Sequence, residues 1–142
     1  MIRQLSVFIE NKQGALADAA EVLAKENINI RAMTLADTTK YGVLRMIVDK
    51  ADAAGNALTR AGYLTRANDV VAVMMPDTAG ALHDVIALLD EVGVNVEYLY
   101  AFNHGKANNA YVVLRVHDPA LTDETLVNHG FKVLQNDDLA NL

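Results

Sequence analysis

The sequence predicts an α+β protein made of two ferredoxin-like βαββαβ units. Each is an antiparallel four-stranded sheet with two helices on one face, and the two pair into a larger sheet. Three observations carry this. The chain repeats itself at an offset of 66 residues; each copy opens on a period-two run followed by a period-3.6 run; and each copy ends its second helical run on a glycine.

Laying Gly14 on Gly80 places Leu5, Val7 and Ile9 on Val71, Val73 and Met75, Leu23 on Leu89, and Ile28-Asn29-Ile30 on Val94-Asn95-Val96. The offset becomes 69 at Asp49 and Asp118, then 68 at Gly62-Tyr63 and Gly130-Phe131 and at Asn68-Asp69 and Asn136-Asp137, as short loop insertions require. The copies therefore run 1–68 and 69–142.

The elements follow in order. Leu5, Val7 and Ile9 alternate with Gln4, Ser6 and Phe8, the pattern of a strand buried mainly on one face. Leu16, Ala19, Ala20 and Leu23, and in the second copy Leu82, Val85, Ile86 and Leu89, recur at helical spacing and predict a covered stripe. Strands are expected over 28–35 and 41–48, and over 94–102 and 110–116. In the first copy they are joined by Asp37-Thr38-Thr39-Lys40, in the second by the longer polar stretch around His104, Gly105 and Lys106. Second helices over about 52–61 and 121–128 end at Gly62 and Gly130, the usual residue for a left-handed helix terminus, and a short strand closes each copy.

Composition excludes several classes of function. Hydrophobic residues are 52% of 142, enough for a core. No apolar run approaches the roughly 20 residues of a membrane helix, and the strand alternation from Leu5 leaves no room for a signal-peptide core, so a cytoplasmic protein without membrane contact is expected. A net charge of −6 and no clustered Lys or Arg argue against nucleic acid. There is no cysteine, and His83, His104, His117 and His129 show no i, i+4 pairing, so no metal or other cofactor is expected. No nucleophile–base pair, carboxylate pair or phosphate loop appears, and the chain is not expected to be an enzyme. Tyr98 and Tyr100 share a strand face two residues apart; either could bound a ligand, and packing against a helix is the commoner fate of such rings.

The repeated loops Asn11-Lys12-Gln13-Gly14-Ala15-Leu16 and Asp77-Thr78-Ala79-Gly80-Ala81-Leu82 link the first strand of each copy to its first helix. A helix N-terminus offers free N–H groups to a carboxylate, and glycine lets a ligand approach the backbone. Capping and a tight turn would explain one such loop. Asn29 and Asn95 also repeat, each at a strand start where asparagine has poor propensity, which favours a binding role.

Loop, helix stripe and post-helix asparagine, in order and twice, resemble ACT domains, the regulatory βαββαβ modules of amino-acid metabolism. The resemblance implies a stand-alone tandem that binds a free amino acid, acts as a dimer and signals to a metabolic enzyme. It places ligand contacts at Asn11, Gly14, Ala15, Leu16, Asn29 and Ile30, and at Asp77, Gly80, Ala81, Leu82, Asn95 and Val96. In serine-sensing members the matching residues resemble Asn11, Gly14 and Asn29; Asp77 departs from that pattern. A βαββαβ unit puts its glycine loop and its post-helix asparagine at opposite ends. Antiparallel pairing of units through their second strands would instead join Gly80 and Asp77 to Asn29, and Gly14 and Asn11 to Asn95. A second reading is a regulatory subunit of an enzyme such as acetolactate synthase, whose ACT domain residues 4–48 also resemble. The recurrence of the loop in the second copy speaks against it.

Overall fold

The computed structural model describes residues 1–37, 39–103 and 108–141. Its internal contacts divide it into a unit of Arg3–Asn68 and a unit of Met1–Ile2 with Asp69–Leu142.

The first unit comprises β1 (Ile2–Glu10), α1 (Ala15–Lys25), β2 (Ile30–Asp37), β3 (Tyr41–Val48), α2 (Ala51–Arg60) and the start of β4 (Leu64–Pro76), in the strand order β2-β3-β1-β4. The second comprises the rest of β4, then α3 (Ala81–Glu91), β5 (Val96–Asn103), β6 (Asn109–Val116), α4 (Pro119–Asn128) and β7 (Lys132–Val133). Here β6 lies between β4 and β5, and β7 pairs with β4 at Val73 and Met74. Both are α+β sheets with antiparallel neighbours, as the patterning predicts.

Each unit has its own core on the helix-covered face. Leu5, Val7 and Ile9 pack with Leu23, Leu44, Met46 and Leu58 in the first; Val71, Val73 and Met75 pack with Leu89, Val112, Leu114 and Leu126 in the second. The second helices stop where their glycines stand. Gly62 and Gly130 have φ of +94° and +84°. The amides of Tyr63 and Phe131 reach back to Leu58 O and Leu126 O, both at 3.0 Å, closing the last turn. At the end of α1 the same left-handed position is held by Asn27 (φ 52°), where α3 uses Gly93 (φ 74°). Asn27→Gly is expected to raise stability by about 0.5–1 kcal/mol, read as a higher urea midpoint at unchanged slope.

Several expectations need correction. The buried stripe of α1 is Ala15, Ala19 and Leu23, and that of α3 is Ala81, Val85 and Leu89. Leu16 and Leu82 are instead 38% and 41% exposed, rotated off the core in the first turn. Gln4 and Ser6, on the alternate face of β1, are buried too, with Gln4 Nε2 donating to Ser6 Oγ at 3.4 Å. Asn68-Asp69 and Asn136-Asp137 match in sequence but not in structure: the first pair lies within β4, whereas Asn136 begins a 3-10 turn after a closing strand of two residues. Tyr98 and Tyr100 oppose Arg115 and Val113, out of phase with Leu114 and Val112 of the helix-covered core, so they stand on the face away from the helices. Thr38, His104, Gly105 and Lys106 lie outside the described residues. No helix among the described residues is long and apolar enough to cross a membrane.

Candidate ligand-binding loops

The two glycine loops have nearly the same backbone. Gly14 and Gly80 are the N-cap residues of α1 and α3, with φ, ψ of 87°, −21° and 90°, −18°, and neither helix has a side-chain cap. That conformation suits only glycine readily, and a Cβ on either would meet nothing within 4 Å, so backbone shape rather than crowding requires the residue. In each loop the first helical amide is already engaged, Ala15 N to Lys12 O at 3.3 Å and Ala81 N to Thr78 O at 3.2 Å. The first full helical bonds are Asp18 N to Gly14 O and Asp84 N to Gly80 O. Between them the amides of Leu16 and Ala17, and of Leu82 and His83, precede the helical ladder at the positive end of the helix. By contrast α4 is closed conventionally, with Leu121 N donating to Asp118 Oδ1 at 3.0 Å.

In the first unit this turn borders a small cavity of about 60 Å³ lined by apolar Ile9, Ala15, Leu16 and Leu35, by Gly42, and by polar Glu10, Asn11, Lys12 and Asp37. The strand register explains the assembly: Ile9 of β1 and Asp37 of β2 both oppose Gly42 of β3. Exposed Leu16 lies over them. Lys12 Nζ pairs with Glu10 Oε2 at 3.0 Å, and that bond and charge raise the Lys12 pKa above its ordinary value, so the ammonium stays charged at neutral pH. Asp37 makes no ion pair or side-chain hydrogen bond among the described residues. Six lining residues are absent from the sequence-derived set: Ile9, Glu10 and Lys12 adjoin the loop in the chain, whereas Leu35, Asp37 and Gly42 reach it only through the sheet register.

Asn29 and Asn95 sit just before β2 and β5 and are exposed, followed by half-buried Ile30 and Val96. Asn29 N donates to Asp49 Oδ1 at 3.0 Å and Asp49 N to Asn29 O at 3.1 Å, which fixes the backbone and leaves the amide side chain outward. Asn95 and Val96 border a hollow of about 390 Å³ with His83, Ile86, Asp90 and Val94. Within each unit the glycine and the asparagine are not brought together. The 11 residues of α1 separate Gly14 from Asn29 by about 16 Å at roughly 1.5 Å per residue.

A family model described as an ACT domain pair matches residues 1–142. The crystal structure of a protein from Bacteroides thetaiotaomicron superposes with a TM-score of 0.92 at 39% identity, over 99% of this chain and 96% of that one. The regulatory subunits of aspartate kinase from Thermus thermophilus and Thermus flavus share the fold at TM-scores of 0.64 and 0.66. They are 14% and 15% identical and cover 90% and 89% of this chain, and 92% and 88% of their own. No curated protein matches the sequence.

Proposed function

The chain belongs to the ACT domain pair family, and from that premise we propose that it is a non-catalytic, cytoplasmic regulatory protein that binds a free amino acid at the seams between ACT units. The observation that carries this is the pair of matched glycine N-caps, neither helix having a side-chain cap among the described residues and each glycine having open space where a Cβ would stand. An α-carboxylate satisfies the first-turn amides and the helix dipole together.

The opposite-end placement of loop and asparagine supports composite sites formed between two copies of the chain: Gly14 and Asn11 of one with Asn95 of the other, and Gly80 and Asp77 with Asn29. β2 and β5 each pair with one neighbour, β3 and β6, among the described strands. Their open edges carry exposed Met33 and Leu35, and Leu99. Open edges with apolar flanks favour association, and a second copy of the chain is the partner we assign to them. A ligand that bridges two units favours their joined arrangement, and a metabolic enzyme that senses this arrangement receives the signal.

A thermal-shift screen of the twenty amino acids, repeated with Asn29→Ala and Asn95→Ala and followed by sedimentation, tests the reading. One amino acid is expected to raise the melting temperature and favour the dimer, and each alanine variant to weaken both. A screen in which no amino acid shifts the transition refutes it.

A further inference from the structure

Each unit carries one aspartate and one asparagine, one at the start of its glycine loop and one at the end of its second strand, in exchanged places. In the first unit the loop begins with Asn11 and β2 ends with Asp37; in the second the loop begins with Asp77 and β5 ends with Asn103. The positions correspond in three dimensions. Asp37 opposes Gly42, and Asn103 opposes Ala110, the matching residue of β6. Ile9 and Met75 oppose the same two residues from β1 and β4. The loop starts are anchored alike, Asn11 N to Lys40 O at 3.0 Å and Asp77 N to Asn108 O at 2.7 Å. Asp37 and Asp77 are exposed, and neither carboxylate has a partner among the described residues.

We infer that Asp37 in the first unit and Asp77 in the second are the ammonium acceptors of the two amino-acid sites, one carboxylate per site supplied from opposite walls. This rests on the reading proposed above. An amino acid is a zwitterion: its carboxylate has the amides of the first helical turn, and its ammonium needs an acceptor within a few ångströms. A lone exposed aspartate at a strand end is ordinary turn chemistry. An exchange that keeps one Asp and one Asn at the same two positions of both units answers to a charge requirement that turn chemistry does not impose. In the first unit Glu10 is already paired with Lys12, which leaves Asp37 as the available acid. The cavity between them is floored by Gly42, where a Cβ would lie 3.0 Å from Leu35 Cδ1, and walled by Ile9 and Leu35. Its lining of Ile9, Ala15, Leu16 and Leu35 is apolar and suits an aliphatic side chain.

The experiment titrates the amino acid that gives the largest thermal shift beside the acid that lacks its amino group: L-valine beside 3-methylbutanoate for the side chain the cavity favours. The wild type is expected to prefer the amino acid by tenfold or more, since a charge-assisted hydrogen bond is worth roughly 1.5–3 kcal/mol. The variant carrying Asp37→Asn and Asp77→Asn should bind the two nearly equally, with affinity for the des-amino acid unchanged as proof that it is folded. Adding Asn11→Asp, which gives the first unit the arrangement of the second, should restore the preference at that site. A wild type that binds no amino acid overturns the parent reading and this one with it. A wild type that binds an amino acid, with a double variant that still prefers it tenfold, overturns the assignment of Asp37 and Asp77 alone.

Discussion

Leu89→Ala and Leu23→Ala are each expected to cost about 2–5 kcal/mol, the range for truncating a leucine in a close-packed core. The two residues occupy the same place in the repeat and are 0% and 1% exposed. Each lies under its helix against the first strand of its unit, in clusters that share no member. The loss exceeds simple transfer because the walls cannot collapse: Val73, Val112 and Leu114 around Leu89 are held by sheet hydrogen bonds on both sides or between strands. With separate clusters, the two losses should add to within about 0.5 kcal/mol. Each loss alone is a large part of the roughly 5–15 kcal/mol that holds a domain folded, and in the double variant both units should be weakened by that amount. Urea unfolding followed by circular dichroism measures this. A cost below 1 kcal/mol for either single variant would show that its helix does not rest on a packed core.

That comparison is possible because the repeat was readable. Strand alternation at Leu5, Val7 and Ile9, the glycines at 62 and 130, and the run 41–48 all report local physics: period, left-handed termini, β-branched and aromatic side chains. The stripe of α1 was misread for a reason of the same kind. Leu16 and Ala15 both fit a 3.6 period with Leu23, and large side chains attract the assignment, yet the helix turns its small Ala15 and Ala19 toward the sheet and leaves Leu16 out. The loops and asparagines of the candidate site were legible because they repeat. Asp37 and Gly42 were not, since what joins them to Asn11 is the register of β2 and β1 on β3, a long-range pairing with no local signature. The exchange of Asn11 and Asp37 for Asp77 and Asn103 is visible in an alignment of the copies, but it acquires meaning only once those four positions are known to flank equivalent residues of β3 and β6.

Gly80→Asp should separate binding from stability. At the N-cap an aspartate normally contributes about 0.5–2 kcal/mol by accepting from the second or third helical amide, here Leu82 or His83. At φ +90° a non-glycine residue forfeits roughly 1–2 kcal/mol, so the two effects nearly cancel and the melting temperature should move little. Binding at that loop should fall by about a hundredfold or more. The new carboxylate takes the donors an amino acid's carboxylate would use, and two like charges at contact distance repel by several kcal/mol where water is partly excluded. Gly80→Ala supplies the control. It carries the same backbone strain, and its Cβ enters open space, so it should lose about 1 kcal/mol of stability and keep most of the affinity. The same pair of substitutions at Gly14 should behave alike, because the two loops share their dihedral angles and their uncapped amides. Equal loss of affinity in the aspartate and alanine variants would mean that the loop acts through its conformation and not by offering amides to a carboxylate. Unchanged affinity in Gly80→Asp and Gly14→Asp alike would remove the helix N-termini from the binding site altogether.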